Sequence, residues 1–202
     1  MLNIFARAPV ARISDPVGAW LVRRGLSPNA VTVIGTVVSV ITALWFFPRG
    51  QLFIGTVVVT LFLLFDLLDG AMARAHGTVT RFGAVLDASC DRIADGALFG
   101  SLVWWALVVT DHHARGVGLL ICLVSAQVIS YVKARAEAHG LRADGGLAER
   151  AERLVVVLVG TGLYGLGVPH VLDIAVWTLA AVSLFTIGQR LYAVHLTSRT
   201  LE

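Results

Sequence analysis

Six stretches of this chain are apolar for the length of a bilayer crossing, and that pattern restricts its fold to a bundle of membrane helices. A helical crossing takes about 20 mostly apolar residues. Such runs fall at about 29–47, 52–74, 83–110, 116–138, 151–168 and 171–193. Backbone polar groups in lipid must be satisfied within the spanning segment, which selects helices over open sheets. The composition agrees: 57% of the 202 residues are hydrophobic and 14% are charged, against about 25% charged in soluble domains. The expected fold is therefore all-α and polytopic, with six transmembrane helices. The breaks at Pro48-Arg49-Gly50, His76-Gly77, Asp111-His112-His113, Glu137–Arg150 and Val168-Pro169-His170 are short. They leave no room for a second soluble domain, so residues 1–202 are expected to form a single membrane domain.

The basic residues set the expected orientation. Arg49 and Arg115 lie in the first and third connections, and the other lysine and arginines lie on the opposite side or within about two helical turns of it. That side is expected to be cytoplasmic, with both termini inside a plasma-membrane protein. Residues 1–24 lack the uninterrupted apolar core of a signal peptide. Leu2, Phe5, Ile13, Val17, Trp20 and Leu21 recur at roughly helical spacing, with Arg7, Arg12, Arg23 and Arg24 between them. The pattern predicts an N-terminal amphipathic helix on an anionic membrane surface. Cys90 and Cys122 fall within apolar spans without ligand-like spacing, which marks them as packing residues. His112 and His113 read as solvated loop residues without partners, and Trp104, Trp105 and Trp177 as interface anchors or lipid-facing residues. No internal repeat is visible, and no nucleic-acid partner is expected.

Against this apolar background four carboxylates stand out. Asp66 and Asp69 are three apart, and Asp87 and Asp91 are four apart, so each pair shares one face of a helix. The polar turn between the two spans makes them an antiparallel hairpin. At 1.5 Å per residue, the deeper carboxylates lie only ~12 Å from the helix ends. Four adjacent negative charges cannot stay ionised without counter-charge. Structural ion pairs with nearby arginines would supply it, and so would two divalent cations. Intramembrane carboxylates are functional by default, and an all-oxygen donor set points to Mg²⁺ or Mn²⁺ rather than zinc. Two cations held by shared carboxylates suit phosphoryl transfer. Gly70, Ala73 and Gly83 would allow a polar ligand close to the backbone, and Arg74 could pair with a phosphate.

The stretch Asp66-x₂-Asp69-Gly70-x₂-Ala73-Arg74-x₈-Gly83-x₃-Asp87-x₃-Asp91 resembles the full signature of the CDP-alcohol phosphotransferase family. The resemblance implies transfer from a CDP-linked alcohol to a second alcohol, with release of CMP, by a homodimer of six-helix subunits. It implies that Asp66, Asp69, Asp87 and Asp91 hold two Mg²⁺ ions (or Mn²⁺), with Asp91 also the general base. Gly70, Arg74 and Thr80 would hold the nucleotide of the donor, CDP-diacylglycerol. The segment "SPNAVT" resembles the family's nucleotide-side segment, which adds Asn29, Ala30, Val31 and Thr32. Asp95, one turn beyond the signature, is expected to make a structural hydrogen bond or pair with an arginine.

The segments "SYVKARAEAHGL" and "ERAERL" are most similar to the prokaryotic phosphatidylinositol-phosphate synthase branch, whose acceptor is inositol 1-phosphate. Lys133, Arg153 and Arg190 are expected at one depth on the cytoplasmic side, where they would bind the acceptor phosphate. The phosphatidylglycerophosphate synthase branch, using glycerol 3-phosphate, would need a similar basic pocket. A carboxylate-based cation or proton transporter is the rival from another class. It has no need of the glycine and arginine beside the aspartates, and such folds are commonly built from repeats.

Overall fold

Each expected span has a helical counterpart in the structure, a computed structural model describing residues 24–63, 80–143 and 145–199. Helix α1 covers Pro28–Phe46 and closes in a 3-10 turn, Phe47–Arg49. Helix α2 is described over Leu52–Leu63. Helix α3 covers Arg81–Trp104 and continues through a π-helical turn, Trp105–Val109. Helices α4, α5 and α6 cover His113–Ala138, Arg150–Gly165 and Val171–Arg199. No strand occurs among the described residues. Four helical segments are long and apolar enough to cross a bilayer: Pro28–Arg49, Arg81–Val109, His113–Ala138 and Val171–Arg199. The described part of α2 and the 16-residue α5 are shorter, so the described residues alone count four crossings rather than six. The expected N-terminal amphipathic helix lies outside the described residues.

The chain divides into two compact units, Met1–Trp45 with Val57–Leu98 and Phe46–Thr56 with Phe99–Glu202. In the first, α1 buries Thr32, Ser39, Thr42 and Ala43 while exposing Val33, Ile34, Val37, Ile41, Leu44 and Trp45. Small and hydroxylated residues inward with large apolar residues outward is the arrangement of a helix facing lipid. The hydroxyls of Thr32 and Thr36 donate to the carbonyls of Pro28 and Thr32 at 3.1 and 2.8 Å. Each is thereby satisfied within its own helix, without water.

In the second unit α6 packs against both α4 and α5. Leu119, Cys122, Ala126 and Ile129 of α4 and Val157 and Leu158 of α5 are buried, as are Leu172, Val176, Leu179 and Ala180 of α6. Glycines set how closely these helices approach. A Cβ at Gly118 would lie 2.6 Å from Val176 Cγ1, and one at Gly160 would lie 2.7 Å from Ala175 Cβ. Gly188, by contrast, has open space around it. Gly160→Ala should therefore lower the melting temperature in detergent, at a cost of about 1 kcal/mol. Gly188→Ala should raise it slightly, because alanine is the better helix former by a similar amount. Equal effects of the two changes would contradict close packing at Gly160.

The same unit corrects two readings of the sequence. Trp105 is not lipid-facing: it is 4% exposed, whereas Trp104 and Trp177 do face outward. His112 is not without a partner, since its ring Nδ1 accepts the Arg115 N–H at 3.3 Å and caps α4. The reason for both lies in Arg115, which the sequence placed in an ordinary loop. Its guanidinium is buried and donates twice to Asp173, Nε to Oδ1 at 2.7 Å and Nη2 to Oδ2 at 2.8 Å. It also stacks 4.4 Å from the Tyr164 ring and 5.4 Å from the Trp105 ring. A fork-to-fork pair enclosed by two aromatic faces draws Trp105 into the core. Cys90 and Cys122 are buried and unbridged, as the sequence implied.

Candidate active site

In the first unit the site begins where α1 and α3 start. Ser27 precedes α1, and its hydroxyl accepts the Ala30 N–H at 3.2 Å. Thr80 does the same for α3, accepting the Gly83 N–H at 3.0 Å. Both are side-chain caps that satisfy an amide left over at a helix start. The two starts meet at Gly83: a Cβ there would lie 3.0 Å from Thr80 Oγ1 and 3.1 Å from Asn29 Oδ1. A larger residue would have to displace one of two side chains expected to touch the nucleotide. The structure thus brings Asn29 and Thr80 together, with Ala30, Val31 and Thr32 following Asn29 in the first turns of α1. A helix start also favours an anion through its dipole. Thr32 is buried and bonded to its own helix, so its hydroxyl is already engaged.

Asp87 and Asp91 follow Gly83 along α3. Asp87 is exposed and Asp91 partly buried, while Asp95, a further turn along, is 1% exposed. Arg92 Nη2 lies 3.7 Å from Asp91 and 3.4 Å from Asp95. Asp95 therefore has the arginine partner that its depth demands. Asp66, Asp69, Gly70 and Arg74 lie outside the described residues. Among the described residues no three His, Cys, Asp or Glu side chains converge as a metal site. Asp87 and Asp91 form half of the expected four-carboxylate set. As oxygen donors one helical turn apart, they fit a hard divalent cation.

The second unit holds the three basic residues. Arg153 and Arg190 are 2% and 6% exposed, and both grip the segment that joins α4 to α5. Arg153 Nη1 donates to the Ala148 carbonyl at 2.6 Å. Arg190 Nε donates to the Gly145 carbonyl at 3.1 Å, and its Nη1 to the Ile129 carbonyl at 2.8 Å. Thr186, which the sequence reading passed over, accepts the Ala148 N–H at 3.1 Å. Its place one turn before Arg190 is a signal in hindsight, but nothing local announces the bond to Ala148. Lys133, on α4 one turn past Ile129, differs from the two arginines. It is half exposed and pairs with Glu137 at 3.8 Å.

The profile of the CDP-alcohol phosphatidyltransferase family matches residues 25–188. The chain belongs to this family. It is a multi-pass membrane enzyme. It is 53% identical to the phosphatidylinositol phosphate synthase of Mycobacteroides abscessus, over all of this chain and 92% of that one. Identity to the Corynebacterium glutamicum synthase is 48%, covering 95% of this chain and 88% of the relative. Among solved structures, the Mycobacterium tuberculosis phosphatidylinositol phosphate synthase with CDP-DAG bound superposes with a TM-score of 0.88 at 53% identity. That match covers 91% of this chain and 94% of the other. The same synthase in complex with manganese and citrate gives a TM-score of 0.87 at 52% identity, covering 90% and 88%.

Proposed function

We infer that the chain transfers the phosphatidyl group of CDP-diacylglycerol to inositol 1-phosphate, giving phosphatidylinositol phosphate and CMP. The observation that carries this reading is the 53% identity, over the whole chain, to a phosphatidylinositol phosphate synthase. Residues 1–202 act as one catalytic domain in the plasma membrane, as a homodimer with both termini and the active site cytoplasmic. The distribution of basic residues supports that orientation, and more so because Arg115 is neutralised by Asp173.

Asp66, Asp69, Asp87 and Asp91 hold two Mg²⁺ ions, for which Mn²⁺ can substitute. Bound there, the cations offset the charge of the diphosphate and of the leaving group as the anhydride bond breaks. Asn29, Ala30, Val31, Thr32, Gly70, Arg74 and Thr80 hold the cytidine diphosphate. Lys133, Arg153 and Arg190 hold the acceptor phosphate and fix the direction of its free hydroxyl. That hydroxyl attacks the phosphorus bearing diacylglycerol, forming a new P–O bond as the anhydride P–O bond breaks. CMP leaves with the bonding pair, and Asp91 takes the hydroxyl proton.

Purified protein supplied with CDP-diacylglycerol and inositol 1-phosphate should release CMP only with a divalent cation present. Chelation should reduce the rate by at least about a hundredfold, and added Mg²⁺ or Mn²⁺ should restore it. CMP release indifferent to the chelator would remove the metal-dependent mechanism.

A further inference from the structure

We propose that Thr186 is a positioning residue for acceptor recognition: it pins the Gly145–Ala148 segment that holds Arg153 and Arg190. The proposal rests on the reading of those arginines as ligands of the acceptor phosphate. The hydroxyl of Thr186 is fully buried and works in both directions. It donates to the Val182 carbonyl at 2.8 Å, which orients its lone pairs away from α6, and it accepts the Ala148 N–H at 3.1 Å. The carbonyl of the same residue, Ala148, accepts Arg153 Nη1 at 2.6 Å. The other end of the segment, the Gly145 carbonyl, accepts Arg190 Nε at 3.1 Å. Two buried guanidiniums are thus referenced to one short piece of backbone, and Thr186 ties that piece to α6.

The methyl of Thr186 contributes as well. Gly146 has φ of 125°, a conformation open to glycine, and a Cβ there would lie 2.5 Å from Thr186 Cγ2. The segment therefore lies directly against the threonine side chain, leaving no slack between them. Arginine recognises a phosphate through a fork of fixed geometry, so a small tilt of the planar head loses aligned hydrogen bonds. Removing the hydroxyl leaves a buried amide without its acceptor, and the segment must shift to find another. Both arginines move with it.

The test compares Thr186→Val, which keeps the shape and removes the hydroxyl, with Thr186→Ser, which keeps the hydroxyl. The valine variant should raise KM for inositol 1-phosphate about tenfold, the scale of one well-placed hydrogen bond to a charged group. KM for CDP-diacylglycerol should stay within about twofold in both variants, because no donor contact is touched. The serine variant should restore the acceptor KM to near wild type. Thr186→Ala leaves room for the segment to relax, and should show the same acceptor defect if the valine variant does not fold. Gly160→Ala, a packing change away from the segment, controls for simple destabilisation and should leave the acceptor KM unmoved. An unchanged acceptor KM in the folded valine or alanine variant overturns the proposal, as does an equal rise in both substrates' KM. Arg190→Gln measured alongside separates the two layers. If it raises the acceptor KM and the Thr186 variants do not, only the positioning role fails. If it too has no effect, the phosphate-binding reading itself falls.

Discussion

Asp91→Asn should lower turnover by about a thousandfold or more, since one carboxylate is both cation ligand and proton acceptor. The amide nearly matches the carboxylate in volume, so the loss reports charge and basicity rather than packing. Asp87→Asn, and likewise Asp66→Asn and Asp69→Asn, removes a ligand without touching the base. Each should reduce turnover by about a hundred- to a thousandfold. Asp95→Asn should act differently. Asp95 is buried against Arg92, and the change should mainly lower thermal stability, leaving turnover within about tenfold of wild type. Asp91→Asn turning over near the wild-type rate at saturating Mg²⁺ would show that another group takes the proton.

The second large effect is on the acceptor. Arg153→Gln or Arg190→Gln should raise KM for inositol 1-phosphate about ten- to a hundredfold, from hydrogen bonds between charged groups of about 1.5–3 kcal/mol. Donor KM should hardly move. Lys133→Gln should raise the acceptor KM less, because Lys133 is half exposed and shared with Glu137, where solvent screens its charge. Steady-state kinetics with each substrate varied in turn would show the split. A Lys133 effect larger than that of either arginine would reverse this ranking, which follows from burial alone.

Much of the fold was legible because membrane helices announce themselves through the length of their apolar runs. The expected starts at 83, 116, 151 and 171 fall within three residues of those of α3, α4, α5 and α6. The far end of α6, at Arg199, was underestimated, because helix continues past the apolar run where no proline or glycine stops it. The placing of Asp87 and Asp91 on one helix was readable for a similar reason: a four-residue spacing is local information. The Arg115–Asp173 pair was not, since its partners lie 58 residues apart and neither carries a motif. Arg115 read as a loop charge until the fold supplied both the carboxylate and the two aromatic faces. The same holds for the segment from Gly145 to Ala148, whose glycines read as a mere break in the apolar pattern. Its carbonyls become meaningful only when two arginines from different helices converge on them. Depth along the helices placed Lys133, Arg153 and Arg190 in one group. Burial separates them, and burial is a tertiary property.

The most direct test of the account is a comparison of acceptors with the purified protein, CDP-diacylglycerol and Mg²⁺, scored by CMP release and by the mass of the lipid product. Inositol 1-phosphate should give phosphatidylinositol phosphate with kcat/KM at least about a hundredfold above that for unphosphorylated inositol. Charged groups built to bind a phosphate are left unpaired when it is missing. Glycerol 3-phosphate, which carries the phosphate on a different alcohol, should also fall well below inositol 1-phosphate. Inositol used as efficiently as its phosphate, or glycerol 3-phosphate clearly preferred, would contradict the assignment of the acceptor.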